Sequence, residues 1–348
     1  MKVAFFTGIE ELRIEDVDRP RLGRADAVLL RIDRVGICGS DVHYYLRGRI
    51  GDQKVSYPAT LGHECSGTVV EVGSAVDGLK PGDRVAVDPA LSCGTCDQCR
   101  AGRVNTCRNL QFMGCPGEAP GAVAEYRVVP AQNCLPIPAG MTLDQAALTE
   151  PLSVGMQAVR LAEVYPAARI AVLGAGPIGL GVLLCAKATA ACTVYMTDLI
   201  DQRLSVARAC GADWTGNAKT QDVDAAIHER EPWGLDLVFE CSGDPQIIDH
   251  AQRMLTPGGT LVLVGIPPVA RVSFDSHHMR RQELTFKNVR RQKGCVAPVI
   301  RLITQGQIDP NPLLTHRFPL QQIRDAFELV ADYRDGVIKA VVEISSAE

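Results

Sequence analysis

The chain has 348 residues, of which 46% are hydrophobic and 22% charged. This composition can bury a substantial core, which excludes a wholly disordered chain, and the length predicts two domains. The 36 basic and 40 acidic residues give a formal net charge of −4, which excludes the basic excess that nucleic acid and anionic membranes attract. No apolar run reaches the roughly 18 residues of a membrane span, and Glu10 and Glu11 precede any signal-peptide core. We therefore expect a cytoplasmic protein that binds neither nucleic acid nor membrane.

The first part of the chain, to about residue 140, has the pattern of short strands separated by turns. Segments 27–32 and 67–73 are rich in apolar and β-branched residues, and turn sequences stand at 81–83 (Pro-Gly-Asp) and 138–140 (Pro-Ala-Gly). Short strands with frequent turn signals are typical of small all-β domains. The sequence therefore predicts a small β-barrel here.

Four of the thirteen cysteines lie within one short segment, at Cys93, Cys96, Cys99 and Cys107. An odd total, the lack of a secretory signal and this tight cluster favour metal ligation over disulfides. Four thiolates in one loop make a closed tetrahedral zinc site that leaves no position for a substrate. An iron–sulfur cluster is the alternative that this spacing leaves open. Either metal has a structural role in a lobe at residues 88–110.

The pattern changes after Pro151, where strands and helices begin to alternate. An apolar strand at 170–173 leads through a glycine turn into a helix to about residue 190, and further strands follow at 193–197, 235–239 and 260–264. Such alternation with nearly all-apolar strands predicts a parallel sheet that is covered by helices on both faces.

The glycine turn carries a dinucleotide-binding pattern, G-x-G-x-x-G, between a strand and a helix. Its glycines permit a tight turn, a close approach of a pyrophosphate and close helix–strand packing, and Asp198 ends the next strand. Asp198 favours NAD over NADP because a carboxylate accepts from ribose hydroxyls and repels a 2′-phosphate. Arg203 is assigned to the adenine face, with a solvated helix arginine as the alternative. The predicted cofactor contacts are Gly174, Gly176, Pro177, Ile178, Gly179, Asp198, Arg203, Val264, Gly265 and Ile266.

The tail contains two helical segments, at 298–306 and 320–331, and a closing strand at 339–344. A terminal strand can join either domain, and its own sequence does not choose between them. A second set of metal-ligand types is dispersed, at Cys38, His63, Glu64 and Glu150. One sulfur, one imidazole and carboxylates can form a catalytic zinc site with an open position, but the spacing alone does not establish one.

Six segments in the same order resemble the zinc-dependent medium-chain dehydrogenase/reductase family, and its sorbitol (polyol) dehydrogenase branch in particular. The resemblance covers essentially the whole chain and rests on segments 36–43, 62–64, 93–107, 150–154, 174–179 and 315–320. It implies an α/β protein with a GroES-like β-barrel catalytic domain and a doubly wound parallel-sheet Rossmann domain. The implied boundaries are 1–151 and 289–348 for the catalytic domain and 152–288 for the NAD-binding domain. It also implies an active site in the cleft and a homotetramer.

The resemblance implies roles for individual residues. Cys38 and His63 resemble the catalytic zinc ligands, and of the carboxylates Glu64 and Glu150, one binds directly and the other directly or through water. Ser40 and His43 match a proton relay and, with Glu64 and Glu150, complete the predicted catalytic residues. The predicted substrate contacts are Tyr44, Phe112, Glu150 and Arg291.

The predicted activity is hydride transfer from a secondary hydroxyl of a polyol to NAD⁺, giving a ketose, with one catalytic and one structural zinc per chain. Glutamate at 150, where alcohol dehydrogenases of this family have cysteine, points to the polyol branch. A threonine 3-dehydrogenase, a broad secondary-alcohol dehydrogenase and a sugar-phosphate polyol dehydrogenase are the alternatives, along with a catalytically silent NAD(H)-binding protein. Gln292 departs from the tyrosine usual in the branch. The basic residues Arg280, Arg281, Arg290, Arg291 and Lys293 fit either a solvated surface or an acidic or phosphorylated substrate.

Overall fold

The computed structural model of the chain describes residues 1–345. Its first 136 residues form two helices, α1 Gly39–Arg47 and α2 Asp97–Arg100, and many short strands. The strands are β1 Lys2–Gly8, β2 Glu11–Asp16, β3 Ala27–Gly36, β4 Arg49–Ile50, β5 Gln53–Lys54, β6 Glu64–Val72, β7 Arg84–Val87, β8 Ala90–Leu91, β9 Gln111–Phe112, β10 Tyr126–Pro130 and β11 Cys134–Pro136.

The middle of the chain alternates strands and helices after the long helix α3 Leu143–Ala162. The strands are β12 Arg169–Leu173, β13 Thr193–Asp198, β14 Trp214–Asn217, β15 Leu235–Glu240, β16 Leu255–Leu263 and β17 Thr285–Asn288. The helices are α4 Pro177–Thr189, α5 Asp201–Ala209, α6 Val223–Arg230, α7 Ile247–Arg253 and α8 Ser276–Arg281.

The last part contains α9 Val296–Thr304, β18 Leu314–Pro319, α10 Ile323–Ala331 and β19 Lys339–Glu343. Short 3-10 turns stand at Val104–Thr106, Ala131–Asn133, Asn311–Leu313, Leu320–Gln322 and Arg334–Gly336. No helix within residues 1–345 is long and apolar enough to cross a membrane.

The chain divides into two compact units. The first unit contains Met1–Glu150, Val296–Thr304 and the chain from Leu314 onward, and the second contains Pro151–Cys295 and Gln305–Leu313. The second boundary differs from the predicted break after residue 288, because residues 289–295 belong to the second unit. There the buried Cys295 lies with its Sγ 3.7 Å from Gln157 Oε1 of α3, and its N–H donates to Gln292 Oε1 at 2.9 Å.

The first unit is built on a seven-stranded sheet with the order β11-β7-β6-β3-β19-β18, in which β10 also pairs with β3. β3 is its central strand: β6 pairs along one edge, while β10 and β19 share the other edge at residues 27–31 and 34–36. The C-terminal strand therefore joins the first unit. It packs there with Phe6, Tyr45 and Phe327, whose ring centroids lie 5.1 to 6.1 Å apart.

The second unit is built on a six-stranded sheet with the order β14-β13-β12-β15-β16-β17, and every pair is parallel. In chain order this is 3-2-1-4-5-6, the doubly wound arrangement of dinucleotide-binding domains. The central strands are mostly buried, as in β12, where Ile170 to Leu173 are at most 1% exposed. The strand order reverses between β12 and β15, and in such sheets ligands bind beyond the carboxyl ends of the strands at that point.

Candidate active site

The four clustered cysteines form a compact lobe around α2. Their Sγ atoms all lie within 4.8 Å of one another, and four of the Sγ–Sγ distances are between 3.5 and 4.0 Å. Zinc–sulfur bonds of about 2.3 Å in a tetrahedron give edges of about 3.8 Å. Gly94 and Gly102, with φ of 71° and 69°, make the left-handed turns on either side of α2 that bring the sulfurs together. The lobe therefore has the dimensions of a closed four-thiolate metal site.

Hydrogen-bond donors next to Cys93 favour the thiolate form of this cysteine. The backbone N–H and the hydroxyl of Thr95 donate to Cys93 Sγ and lower the pKa of Cys93 to about 5. A salt bridge from Arg108 to Asp97, with contacts of 2.5 and 2.8 Å, ties the segment after the last cysteine to the first residue of α2. These hydrogen bonds favour the thiolate at Cys93, whereas desolvation raises the pKa of Cys99 to about 12.

A second cluster lies where β3 and β6 run side by side. Cys38 follows β3 and precedes α1, while His63 and Glu64 stand at the start of β6; their ligand atoms all lie within 4.8 Å of one another. The strand pairing places Gly36 opposite Glu64, and a methyl group on Gly36 would lie 2.3 Å from Glu64 Oε2. The strand register and one glycine therefore bring together residues that are 25 positions apart.

Asp41 supports this cluster from α1. Its carboxylate is 1% exposed, lies 3.5 Å from His63 Nδ1, and accepts from the N–H groups of Cys38 and Gly62 at 3.2 and 3.3 Å. Burial lowers the pKa of His63, but the charges of Asp41 and Cys38 outweigh it and raise the pKa well above its ordinary value. Holding Nδ1 toward a carboxylate leaves Nε2 for a metal, which is the usual arrangement of a ligating histidine.

Glu64 also pairs with a buried lysine. Lys339 Nζ, at the start of β19, donates to Glu64 Oε1 at 2.6 Å and to the carbonyl of Ile37 at 2.9 Å. Both side chains are at most 2% exposed. Glu150 is buried nearby, and burial raises its pKa to about 7 against the attraction of His63 and Lys339. Its carboxylate is outside the group that closes to within 4.8 Å.

Two other predicted catalytic residues lie on α1. Ser40 and His43 are both half-buried and are three residues apart, so they lie on the same face of the helix. Burial and, secondarily, the charge of Arg47 lower the pKa of His43. Both effects favour the neutral form of the His43 imidazole.

Two predicted substrate residues of the first unit lie close to the Cys38 cluster. The Phe112 ring is 5.2 Å from the His63 ring, and Phe112 packs in a small apolar cluster with Cys115. The Tyr44 hydroxyl lies 3.7 Å from Cys115 Sγ and donates to Gln53 Oε1 at 2.9 Å. The structure thus brings Tyr44 and Phe112 to the side of the site that carries His63.

The glycine turn of the second unit has the geometry that its pattern predicts. Gly174 has φ of 104°, Gly176 precedes α4, and Pro177 occupies the first helical position. A methyl group on Gly179 would lie 1.8 Å from Gly174 O, so the third glycine is needed for the turn to close against the helix. The start of α4, which contains Ile178, therefore leaves its N–H groups available for a phosphate.

Asp198 braces this turn from the end of β13. It accepts from Ala175 N–H at 2.6 Å and from Leu199 and Ile200 N–H at 2.7 and 2.9 Å. Arg203 is only 8% exposed, and its guanidinium lies 3.8 Å from the place of a methyl group on Gly176. This burial beside the turn favours the cofactor role of Arg203 over a solvated surface arginine.

The remaining predicted residues also lie in the second unit. The N–H groups of Val264 and Gly265 donate to Glu240 O at 2.9 Å, and Ile266 is 49% exposed. Arg291 is half-buried with φ of 52°. The other four basic residues of the predicted run are exposed: Arg280, Arg281, Arg290 and Lys293.

Comparisons with known proteins agree with this geometry. Residues 24–139 match the alcohol dehydrogenase GroES-like domain, and residues 177–305 match the zinc-binding dehydrogenase domain. Sorbitol dehydrogenase of Bacillus subtilis is 35% identical over 98% of this chain and 97% of its own length, and that of Bos taurus is 40% identical over 92% and 90%. The structure of galactitol-1-phosphate dehydrogenase from Escherichia coli superposes with a TM-score of 0.89 at 30% identity, covering 99% of this chain and 100% of that one.

The chain belongs to the zinc-dependent medium-chain dehydrogenase family. The family and the fold class predicted from the sequence are thereby confirmed, and the protein is an oxidoreductase.

The residues present in this dehydrogenase fit zinc at both clusters. The first cluster offers four thiol sulfurs, and the second offers one sulfur, one imidazole and one carboxylate, which are the ligand types that zinc takes in structural and catalytic sites respectively. Three protein ligands leave a fourth tetrahedral position open. An iron–sulfur cluster is disfavoured because the family that matches the chain binds zinc.

The sequence analysis missed two residues that contact the ligand set of this dehydrogenase. Asp41 lies three residues after Cys38, and a carboxylate at that place is a signal that could have been used, since ligating histidines usually donate to one. Lys339 could have been noticed as a charged residue at the start of an otherwise apolar strand. Its partner could not, because Glu64 is 275 positions away.

Proposed function

We propose that this dehydrogenase oxidises a secondary hydroxyl of a polyol to a ketone, giving a ketose, with NAD⁺ as the acceptor of the hydride. The observation that carries the proposal is the Cys38, His63 and Glu64 cluster, with Glu150 buried beside it. Zinc, when bound there, supplies the Lewis acidity that lowers the pKa of a hydroxyl. In this assignment the Cys38 cluster holds one zinc and the cysteine lobe holds a second.

The residues around the cluster divide the remaining tasks. Glu64 is the carboxylate ligand, because its oxygen lies with Cys38 and His63, and Glu150 is buried nearby but outside that group. Ser40 and His43 carry the hydroxyl proton away, and the lowered pKa of His43 favours the neutral imidazole, which has a nitrogen free to accept a proton. Tyr44 and Phe112 contact the substrate from the side of His63.

NAD is the proposed cofactor because Asp198 ends β13 beside the glycine turn. Each oxygen of its carboxylate can accept further hydrogen bonds from ribose hydroxyls, whereas a 2′-phosphate would meet like charge. The second unit is accordingly the NAD-binding domain, and the first unit is the catalytic domain.

The exposure of the basic residues favours a neutral polyol over a phosphorylated polyol as the substrate. Arg280, Arg281 and Lys293 lie on the surface, where solvated charges are the ordinary arrangement. Arg291 alone is half-buried, and we assign it to a polar contact with the substrate. The similarity to galactitol-1-phosphate dehydrogenase keeps sugar phosphates in the test below.

The test is a substrate panel that follows NADH formation by absorbance. It covers sorbitol, xylitol, galactitol, ribitol, threonine, simple secondary alcohols and sugar-alcohol phosphates, each with NAD⁺. The highest kcat/KM is expected for one of the four free polyols. NADH formation from threonine or a phosphorylated polyol alone would replace the proposed substrate class.

We also infer a cytoplasmic homotetramer. None of the thirteen cysteines, all of which lie within residues 1–345, forms a disulfide, which supports a reducing compartment. β17 stands at the edge of the second unit's sheet, and Ile266, Val269 and Phe274 before it are 45 to 49% exposed; large exposed apolar side chains beside an open edge favour association. Light scattering on the purified chain should give four times the monomer mass, and a monomer would contradict the inference.

A further inference from the structure

The turn that follows β15, here called the Glu240 turn (residues 240–243), lies between two other loops at the carboxyl edge of the second unit's sheet. On one side, a methyl group on Gly174 would lie 3.1 Å from Ser242 N. On the other side, a methyl group on Gly243, whose φ is 74°, would lie 2.7 Å from Ile266 O. The three loops thus touch backbone to backbone, with no room for intervening side chains.

The side chain of Glu240 holds this turn in place. Its Oε1 accepts from Ser242 N at 2.6 Å, from Ser242 Oγ at 2.6 Å and from Gly243 N at 2.7 Å. Its main-chain oxygen accepts from the N–H groups of Val264 and Gly265, each at 2.9 Å. One residue therefore fixes its own turn through the carboxylate and the neighbouring loop through the backbone.

Burying the Glu240 carboxylate at this position is energetically unfavourable. It is 3% exposed, and a buried carboxylate is unfavourable unless hydrogen bonds or a counter-ion compensate for lost water. None of the ion pairs described within residues 1–345 includes Glu240, so the donors of its own turn are the compensation that the structure shows. Burial raises the pKa of Glu240, and the hydrogen bonds from Ser242 and Gly243 oppose that rise. The Glu240 carboxylate therefore acts as a brace, meaning that its hydrogen bonds hold the Glu240 turn in one conformation.

The location of the brace gives it a function. The strand order of the sheet reverses between β12 and β15, and a dinucleotide binds beyond the carboxyl ends of the strands at that point. The loops that flank this point are the Gly174 turn after β12 and the Glu240 turn after β15. A shift of the Glu240 turn would therefore move a wall of the binding crevice.

We propose that Glu240 is a positioning residue for the dinucleotide: its carboxylate fixes the Glu240 turn against Gly174 and Ile266, so that the crevice is formed before the cofactor arrives. The proposal rests on the dinucleotide binding proposed above. Glu240 contacts the turn and not the reacting atoms, so its removal acts on cofactor affinity and not on the chemical step.

The experiment compares three variants of the full-length protein by NADH fluorescence titration and steady-state kinetics. Glu240→Ala removes the brace, and Glu240→Gln keeps an oxygen that can accept the same three hydrogen bonds. Asp236→Ala is the matched control: Asp236 lies on the same strand and accepts three hydrogen bonds from Arg169 at 2.8 to 3.0 Å and one from Tyr165, but it lies at the opposite edge of the sheet. Thermal melting of each variant checks folding.

We expect Glu240→Ala to raise the Kd for NADH and the KM for NAD⁺ about tenfold, a loss in the range that misplaced binding groups produce. At saturating NAD⁺, kcat should change less than threefold. Glu240→Gln should stay within threefold of the wild type in both constants, and Asp236→Ala should lose melting temperature without losing NADH affinity.

Wild-type affinity in Glu240→Ala would overturn the proposal, as would an equal loss of affinity in Asp236→Ala or in Glu240→Gln. A folded Glu240→Ala that loses kcat but not affinity would also overturn it. If the wild-type protein binds no NADH at all, the proposed function fails instead, so the two failures are distinguishable.

Discussion

At the scale of single residues, Glu64 connects two roles. One oxygen accepts from Lys339, and the carboxylate also lies within ligand distance of the Cys38 and His63 atoms. The Asp41 carboxylate is the charged partner of His63 and lies 3.5 Å from its Nδ1. The cluster is therefore oriented by charged partners from α1 and β19, and such partners raise the precision of a metal site.

Replacing Cys38 by serine should abolish turnover while cofactor binding remains. Serine leaves a weaker ligand beside His63 and Glu64, and the loss of Lewis acidity should reduce kcat at least about 100-fold. Initial rates with the best polyol measure kcat, and NADH fluorescence measures binding. Cys210→Ser, at a cysteine outside both clusters, is the control and should keep full activity.

Replacing Lys339 by methionine should destabilise the fold. In protein stripped of zinc, it leaves the buried Glu64 carboxylate without its partner, and breaking such a pair costs about 3–5 kcal/mol of unfolding free energy. Urea denaturation monitored by circular dichroism measures the change. Lys2→Met removes an ion pair to Asp16 whose side chains are 43% and 75% exposed, so it should change stability little. Equal losses of unfolding free energy in Lys339→Met and Lys2→Met would contradict a stabilising role for the buried Lys339–Glu64 pair.

The sequence identified residues whose chemistry shows in local spacing and missed those that depend on distant pairing. The four lobe cysteines could be assigned from their spacing alone, because they ligate from one loop. Asp41 stands close to Cys38 in the sequence and offered a local signal, whereas the pairing of Lys339 with Glu64 did not, since it depends on β6 and β19 lying on either side of β3. The same limit applies to Glu64 and Glu150: which of them stands with Cys38 depends on the register of β3 with β6.

At the scale of elements, the cysteine lobe is a local structure within the first unit. It is held by α2, two glycine turns and the ion pair of Asp97 with Arg108, and it offers little apolar surface to bury. A loop of this kind depends on its metal for order, because metal binding supplies folding free energy.

Replacing Cys96 by serine should therefore lower the metal content and the melting temperature more than the activity per remaining folded chain. Zinc per chain should fall from two to one by elemental analysis, and calorimetry should record the lower melting temperature. Two zincs per chain with unaltered melting would contradict a structural role for the lobe.

Elements were predicted best where the pattern is local and regular. The alternation of apolar strands with helices after Pro151 indicated the parallel sheet correctly, because its central strands β13, β12 and β15 are mostly buried. The last strand was harder, since its sequence suits any sheet with an open edge. Its pairing of Val341 with Gly36 is decided by packing around Phe327, which lies 291 positions from Gly36.

At the scale of the whole molecule, the chain combines a unit that gathers metal ligands with a unit that presents a dinucleotide turn. The first unit contains residues from three separate parts of the sequence, and the second contains residues from two. The break after Cys295 was predicted a few residues too early, because Gln292 and Cys295 tie that segment to α3 through contacts that the sequence pattern does not display.

The choice of cofactor belongs to this scale as well. With Asp198 at the end of β13, we expect kcat/KM for NAD⁺ to exceed that for NADP⁺ by about 100-fold, since a 2′-phosphate meets a carboxylate and loses two hydrogen bonds. Parallel assays with the two cofactors at one polyol concentration measure the ratio. A ratio near one, or a preference for NADP⁺, would contradict the role of Asp198.

The most direct test of a zinc-dependent polyol dehydrogenase is removal and return of the metal. The purified protein is stripped with a chelator, its zinc content is measured, and NADH formation from the best polyol is followed before and after zinc is restored. We expect the rate to fall in proportion to the zinc lost from the Cys38 cluster and to recover with added zinc. Full activity in protein that holds no zinc would contradict the proposed function.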